Sequence, residues 1–301
     1  MSRIFEALQR SEAERSGTEF VLPAESVADL LRSEERETER VDAERVDAER
    51  VDTFSSARVL HPVPPADARL VCLTDQGCLG AEKFRVLGLR LRHLREKRKL
   101  RRIVVTSTIP AEGKSLVAAN LALNQARSKV LKTVLIDGDL RRPTLASRFG
   151  FQRSLPGLCE CLRGERKLAD VVYKLEGTGL WFLPAGMAPE NPIELMQLGR
   201  LSETLEQLGA FFDWIIIDTP PIFPLADTPL WMKLADGVLM VTREGVSEKK
   251  LLGRAVEALD PATLLGVVVN SCDGNGQEYY YSRYSRDAIN SSEASSPSAE
   301  G

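Results

Sequence analysis

No apolar run in the 301-residue sequence approaches the roughly 20 residues a membrane-spanning helix needs. The opening, MSRIFEALQRSEAER, carries charges where a secretory leader needs an unbroken apolar stretch. These two absences predict a soluble chain that reaches a membrane only through a partner. There is no CxxC, and the cysteines number five, an odd count. That argues against a disulfide framework and for a reducing cytosol. Cys159 and Cys161 stand close together, but without matching Cys or His partners they read as packed thiols rather than metal ligands. Only two histidines occur, and His93 has no neighbours that suggest catalysis. A large charge excess is missing as well: the formal net charge is −3, so neither nucleic acid nor an anionic membrane is expected as a whole-protein partner. Tyrosine is scarce too, yet four of the five tyrosines fall between Tyr279 and Tyr284.

Hydrophobic residues make up 43% of the chain, enough for one α/β domain of about 200 residues plus tails. Residues 1–65 read as a separate segment. Ile4, Phe5 and Leu8 share one face of a short helix, either a frayed terminus or a docking peptide. The ERVDA unit begins at Glu39 and at Glu44, and a third copy at Glu49 breaks at Thr53. A five-residue period matches neither helix nor strand, so this is a solvated, charge-mixed spacer. The Pro-rich HPVPPAD, residues 61–67, marks the boundary.

Residues 66–272 alternate apolar runs with amphipathic stretches. RIVVTS (102–107), TVLIDGD (133–139), LWFLPAG (180–186), FDWIIIDTPP (212–221), DGVLMVTRE (236–244) and LLGVVVNS (264–271) read as strands. Continuous β-branched runs separated by helices predict a mostly parallel central sheet covered by helices on both faces. Ligands of such sheets sit beyond the C-terminal strand ends. From residue 273 the chain turns polar, and 273–301 is expected to be a disordered tail carrying the tyrosine cluster.

Gly113-Lys114-Ser115 follows the first of these strands and opens the helix KSLVAANLALNQARS. This is the context of a phosphate-binding loop, whose backbone N–H groups and helix N-terminus face phosphates. Lys114 reaches the outer phosphates, and the Ser115 hydroxyl is placed for Mg²⁺. Pro110, Ala111, Glu112, Gly113 and Leu116 complete the cradle. Thr108 stands where the general pattern usually has Gly or Ala. Asp137 and Asp139 end the second strand, in VLIDGDLRRP, and Asp218 ends another, in WIIIDTPP. Mg²⁺ keeps several waters and needs only one or two carboxylates beside phosphate oxygens. A single such Asp reads equally well as a helix cap or turn former.

TSTIPAEGKS, VLIDGDLRRP and IIIDTPP together resemble the Walker A, A′ and B motifs of the bacterial tyrosine kinases of capsule and exopolysaccharide loci, relatives of the partitioning P-loop ATPases. The resemblance covers about residues 68–284, including FLPAGMAPENPIELM and the tyrosine-rich tail; MSRIFEALQR is also similar to the start of some soluble members. It implies a P-loop fold with ATP and Mg²⁺ as cofactors. Lys114 and the loop would hold ATP, and Ser115, Asp139 and Asp218 would place Mg²⁺ directly or through water. Asp137 would orient or deprotonate the attacking phenol. A carboxylate beside Mg²⁺ is expected to have a depressed pKa, but phosphoryl transfer is mostly positioning and electrostatics, so a weak base suffices. Tyr279, Tyr280, Tyr281 and Tyr284 would accept phosphate. Arg141 and Arg142 neutralise transferred charge or pair with surface acids. Asn270 reads the adenine or caps a turn.

The resemblance further implies a membrane co-polymerase as activator, a cognate phosphatase, and a cytoplasmic protein recruited to the inner membrane. It implies a homo-oligomeric ring, but the ring motif ExxRxxR retains only Glu82 and Arg85. Gly88 replaces the last arginine, and Arg90 lies on another helical face. Ala111 stands where members commonly have Gly, a cost of about 1 kcal/mol if φ is positive there. The basic run RLRHLREKRKLRR (90–102) reads first as a solvated helix flank and second as a nucleic-acid or lipid patch. Two other readings stay open: a P-loop ATPase switch in a polysaccharide-export or partitioning complex, and a non-catalytic scaffold. The partitioning ATPases usually carry a lysine early in the loop, where Thr108-Ile109-Pro110 stand here.

Overall fold

The computed structural model describes residues 54, 57–128, 130–151, 155–197, 200–223, 227–246 and 249–271. The N-terminal segment expected to form a helix, the ERVDA repeats and the tyrosine cluster lie outside the described residues. The described strands are β1 (Val59–Leu60), β2 (Arg102–Ser107), β3 (Thr133–Asp137), β4 (Tyr173–Leu175), β5 (Leu180–Leu183), β6 (Trp214–Asp218), β7 (Gly237–Arg243) and β8 (Leu264–Asn270). They form one sheet in the order β1-β4-β5-β3-β6-β2-β7-β8. Every neighbouring pair runs parallel except β4 with β5. The mostly parallel sheet is therefore as expected, and the six long runs supply six of its eight strands. Residues of β3 and β6 are buried on both faces, which is why they read as continuous apolar runs rather than alternating ones.

Two expectations need correction. β3 stops at Asp137, so Asp139 lies in the following loop rather than in the strand. The folded domain also starts before the Pro-rich stretch. Phe54 is 2% exposed and packs its ring at 4.9 Å from Phe211 and 5.5 Å from Phe212. β1 then pairs with β4 in the register Val59↔Lys174 and Leu60↔Leu175. An aromatic anchor and a two-residue strand carry no periodic signal, so the boundary expected at residue 65 fell too late.

Helices cover both faces. The helix Lys114–Gln125 is buried at every position but Leu116, because the sheet lies on one side and the helix Leu79–Lys97 on the other. The opposite face buries Leu162, Leu195, Leu205, Leu208 and Ala255 against Val104, Ile215, Ile217 and Met240. Among the described residues no helix is long and apolar enough to cross a membrane.

Gly88 is a packing residue. A Cβ built on it would stand 2.2 Å from Asn124 Nδ2, and Gln125 Nε2 donates to the Gly88 carbonyl at 3.3 Å. The position that completes the ring motif is thus spent on the crossing between the helix Leu79–Lys97 and the helix that follows the phosphate loop. Glu82 and Arg85 pair with each other, and Arg90 is exposed.

The basic run has a structural use as well. Carbonyls of the helix Arg200–Phe211 and of the turn before β8 accept from this run. Arg101 Nη1 donates to Gly209 O, Arg102 Nη2 to Leu205 O at 3.3 Å, and Arg98 Nη1 to Ala262 O at 2.6 Å. Of these acceptors only Gly209 O lies in the last turn of its helix, where the helix dipole also favours a cation.

Candidate nucleotide site

The loop 108–113 joins β2 to the helix Lys114–Gln125. Gly113 caps that helix at φ 96°, and Ala111 sits at φ 67°. Position 111 thus does take a positive φ, held by a residue with a Cβ. Left-handed strain costs about 1–2 kcal/mol for such a residue, and a glycine gives back part of the gain as unfolded-state entropy. Ala111→Gly should thus raise stability by about 0.5–1 kcal/mol and Tm by about 1–4 °C, read by calorimetry on the protein without nucleotide.

Three contacts brace the loop. The buried Glu112 carboxylate accepts the Ile109 N–H at 2.9 Å. Asn270 Nδ2, from the end of β8, donates to the Glu112 carbonyl at 3.0 Å. The segment after β6 closes the other side, with Ile222 N–H donating to Ser107 O at 2.8 Å. Asn270 lies so close that a Cβ on Gly113 would meet its Nδ2 at 2.0 Å. Of the two uses weighed for Asn270, the structure displays a third, buttressing the loop. Pro110 is exposed at the loop tip. The first helical bond runs from Val117 N–H to Gly113 O, which leaves the N–H groups of Lys114, Ser115 and Leu116 ahead of the ladder, as an anion cradle requires.

The lysine and the acids converge. Lys114 Nζ lies 2.9 Å from Asp139 Oδ2, 3.6 Å from Asp218 Oδ1 and 3.3 Å from Ser115 Oγ. Burial alone pulls its pKa down, but Asp218 and Asp139 outweigh this and hold it above the usual lysine value. Parallel register sets Asp137 beside Asp218. Without a bound cation, burial and the Asp218 charge push Asp137 well above the carboxylate range. Asp137 Oδ2 accepts the Leu145 N–H at 3.0 Å and so opens the helix Leu145–Arg148, while its buried Oδ1 has no hydrogen-bond partner among the described residues. Burial also raises Asp218, with the Lys114 charge and the neighbouring Ser115 hydroxyl pulling the other way. Among the described residues neither Asp218 oxygen is in hydrogen-bond geometry with a donor. Asp139 Oδ1 accepts the Arg142 N–H at 3.1 Å.

Arg141 does not point freely at this centre. Its Nε donates to Asp227 Oδ2 at 2.7 Å and its Nη2 to Asp227 Oδ1 at 3.0 Å, and this pairing raises its pKa. Sequence reasoning missed Asp227, which begins the helix Asp227–Lys233 and reads there as an ordinary cap. It also missed Trp231, whose Nε1 donates to Gly138 O at 3.2 Å.

A strand–loop–helix cradle, a buried lysine at its mouth and acids from two adjacent strand ends define a P-loop nucleotide-binding protein. No protein-family model matches the chain. Individual proteins do. It is 33% identical over 203 residues to tyrosine-protein kinase YwqD of Bacillus subtilis, covering 67% of this chain and 85% of YwqD. Tyrosine-protein kinase CpsD of Streptococcus pneumoniae serotype 4 is 34% identical over 183 residues, covering 60% of this chain and 80% of CpsD. The EpsB proteins of Ralstonia nicotianae and Ralstonia solanacearum are 37% identical over 187 residues, and the match spans 25% of their length. Among solved structures, the BceF tyrosine kinase domain superposes with a TM-score of 0.61 at 30% identity, covering 77% of this chain and 88% of BceF. The chain belongs to the bacterial tyrosine kinase family of capsule and exopolysaccharide loci.

Proposed function

We propose that the protein is an ATP-dependent tyrosine autokinase that phosphorylates its own C-terminal cluster, Tyr279, Tyr280, Tyr281 and Tyr284, on a neighbouring copy. The reading is carried by one observation: Lys114 joins the phosphate loop to Asp139 and Asp218 within 3.6 Å. Lys114 and the N–H groups at the helix start hold the phosphates, and Arg141 stands beside them. Phosphoryl transfer needs little covalent help from a protein, so positioning and charge neutralisation suffice.

The residues present suit Mg²⁺. Asp218 offers two buried oxygens beside the Lys114 ammonium, and Ser115 offers its hydroxyl. Asp139, already engaged by Lys114, would act through water. Among the described residues no three His, Cys, Asp or Glu side chains converge as a cage, which suits a cation that takes most of its ligands from phosphate and water. Bound there, Mg²⁺ would neutralise charge on the transferred phosphoryl group. Asp137, with one buried oxygen unpaired, is the group placed to orient the phenol.

In this reading the segment before Phe54 contacts a membrane co-polymerase that activates the kinase at the inner membrane, and residues 273–301 are the substrate tail. A phosphatase resets the tail, and the assembly regulates polysaccharide polymerisation and export. Each phosphate adds about −1.5 to −2 charges, enough on four adjacent sites to drive neighbouring tails apart.

Replacing all four tail tyrosines by Phe separates this from an ATPase switch. We expect phosphate incorporation to fall to background while ATP hydrolysis stays within about twofold of wild type. Unchanged incorporation in radiolabelled ATP would show that the acceptor lies elsewhere.

A further inference from the structure

Buried acids are costly unless paired, and Asp227 is such an acid: its side chain is 2% exposed. Both its oxygens go to the same guanidinium, at 2.7 and 3.0 Å. A two-point fork of this kind fixes orientation as well as distance. Arg141 itself is 35% exposed at the side chain, and the fork to Asp227 engages only its Nε and Nη2. The helix that carries Asp227 is tied down in turn. Thr228 Oγ1 donates to Pro220 O at 2.8 Å, just past Asp218. Trp231 Nε1 donates to Gly138 O at 3.2 Å, in the loop between Asp137 and Asp139. A Cβ on Gly138 would stand 2.8 Å from Asp218 O and 2.9 Å from the Trp231 ring, so these elements touch without slack. The helix Asp227–Lys233 therefore holds the loops of both acids together.

We propose that Asp227 is a positioning residue for phosphoryl transfer: it aims the Arg141 guanidinium so that its open donors meet charge developing on the transferred phosphoryl group. The proposal rests on the nucleotide reading of the site. It assigns Arg141 to the transition state rather than to holding ATP, where a binding role would be the simpler expectation. Loss of the aiming carboxylate would leave nucleotide binding intact and lower the rate, since a misplacement near 1 Å costs about 100-fold.

The test is a double-mutant cycle on the full chain, with Asp227→Asn, Asp227→Glu, Arg141→Ala and the double variant. Three readouts are taken for each: phosphate turnover at saturating Mg-ATP, the Kd for a fluorescent ATP analogue, and Tm. We expect Asp227→Asn to lower turnover by about 10- to 100-fold with Kd changed less than about threefold. Asp227→Glu should recover part of the rate. In the double variant the loss should be no larger than in Arg141→Ala alone. If wild type labels no tyrosine, the function proposed above fails, and the same cycle is then read as ATP hydrolysis. The positioning role is overturned if Asp227→Asn lowers Tm but leaves turnover per folded molecule unchanged. It is equally overturned if the two single losses add in full, or if the whole effect falls on Kd.

Discussion

Lys114→Met should weaken Mg-ATP binding by about 10- to 100-fold and remove phosphotyrosine formation. The binding figure follows from the roughly 1.5–3 kcal/mol of a hydrogen bond to a charged group. The substitution also acts without nucleotide. Lys114 is the cation that faces Asp139 at 2.9 Å and Asp218 at 3.6 Å. Removing one partner of a buried ion pair costs about 3–5 kcal/mol when the other charge stays buried. Asp218 is already pushed up by burial and can take a proton, so the loss should lie near 3 kcal/mol. Circular dichroism and calorimetry would separate the two effects, because binding is measured well below the lowered Tm. A variant that keeps its affinity for Mg-ATP would remove Lys114 from the phosphate site.

Gly88→Arg, which restores the arginine of the ring motif, should destabilise the protein rather than improve assembly. A Cβ at this position meets Asn124 Nδ2 at 2.2 Å, and the guanidinium that follows has to leave a helix crossing already closed by Gln125. Overpacking of a buried site costs about 1–3 kcal/mol. We expect Tm to fall by about 2–12 °C, and sedimentation velocity to show no gain in oligomer at equal concentration. A stable, more highly assembled variant would show that this crossing can open.

Much of the fold was legible because the sheet is parallel and buried on both faces. Ile215, Ile216 and Ile217 in β6 have no polar neighbour to interrupt them, and a run of that kind reads as a core strand. β1 and β4 escaped because two and three residues cannot display a period. The phosphate loop reads from Gly113-Lys114-Ser115 at a strand–loop–helix junction only together with the acids of two further strands, and the question of a positive φ at Ala111 came from the family resemblance. Contacts made by residues far apart in sequence were not legible. Asn270 braces a loop 158 positions away, and Asp227 grips an arginine 86 positions away. An Asp at a helix start looks the same whether it caps its own helix or aims another residue. Gly88 likewise reads as a lost arginine until its partner helix is in view.

The central claim is that the centre built around Lys114 transfers phosphate to the chain's own tyrosines. Its most direct test is tandem mass spectrometry of the purified full-length protein, incubated with Mg-ATP and a cytosolic peptide of the membrane partner. The account predicts phosphate on residues between Tyr279 and Tyr284, absent in Lys114→Met. Tight ATP binding with no phosphate on any of the four, under every activating condition, would contradict it.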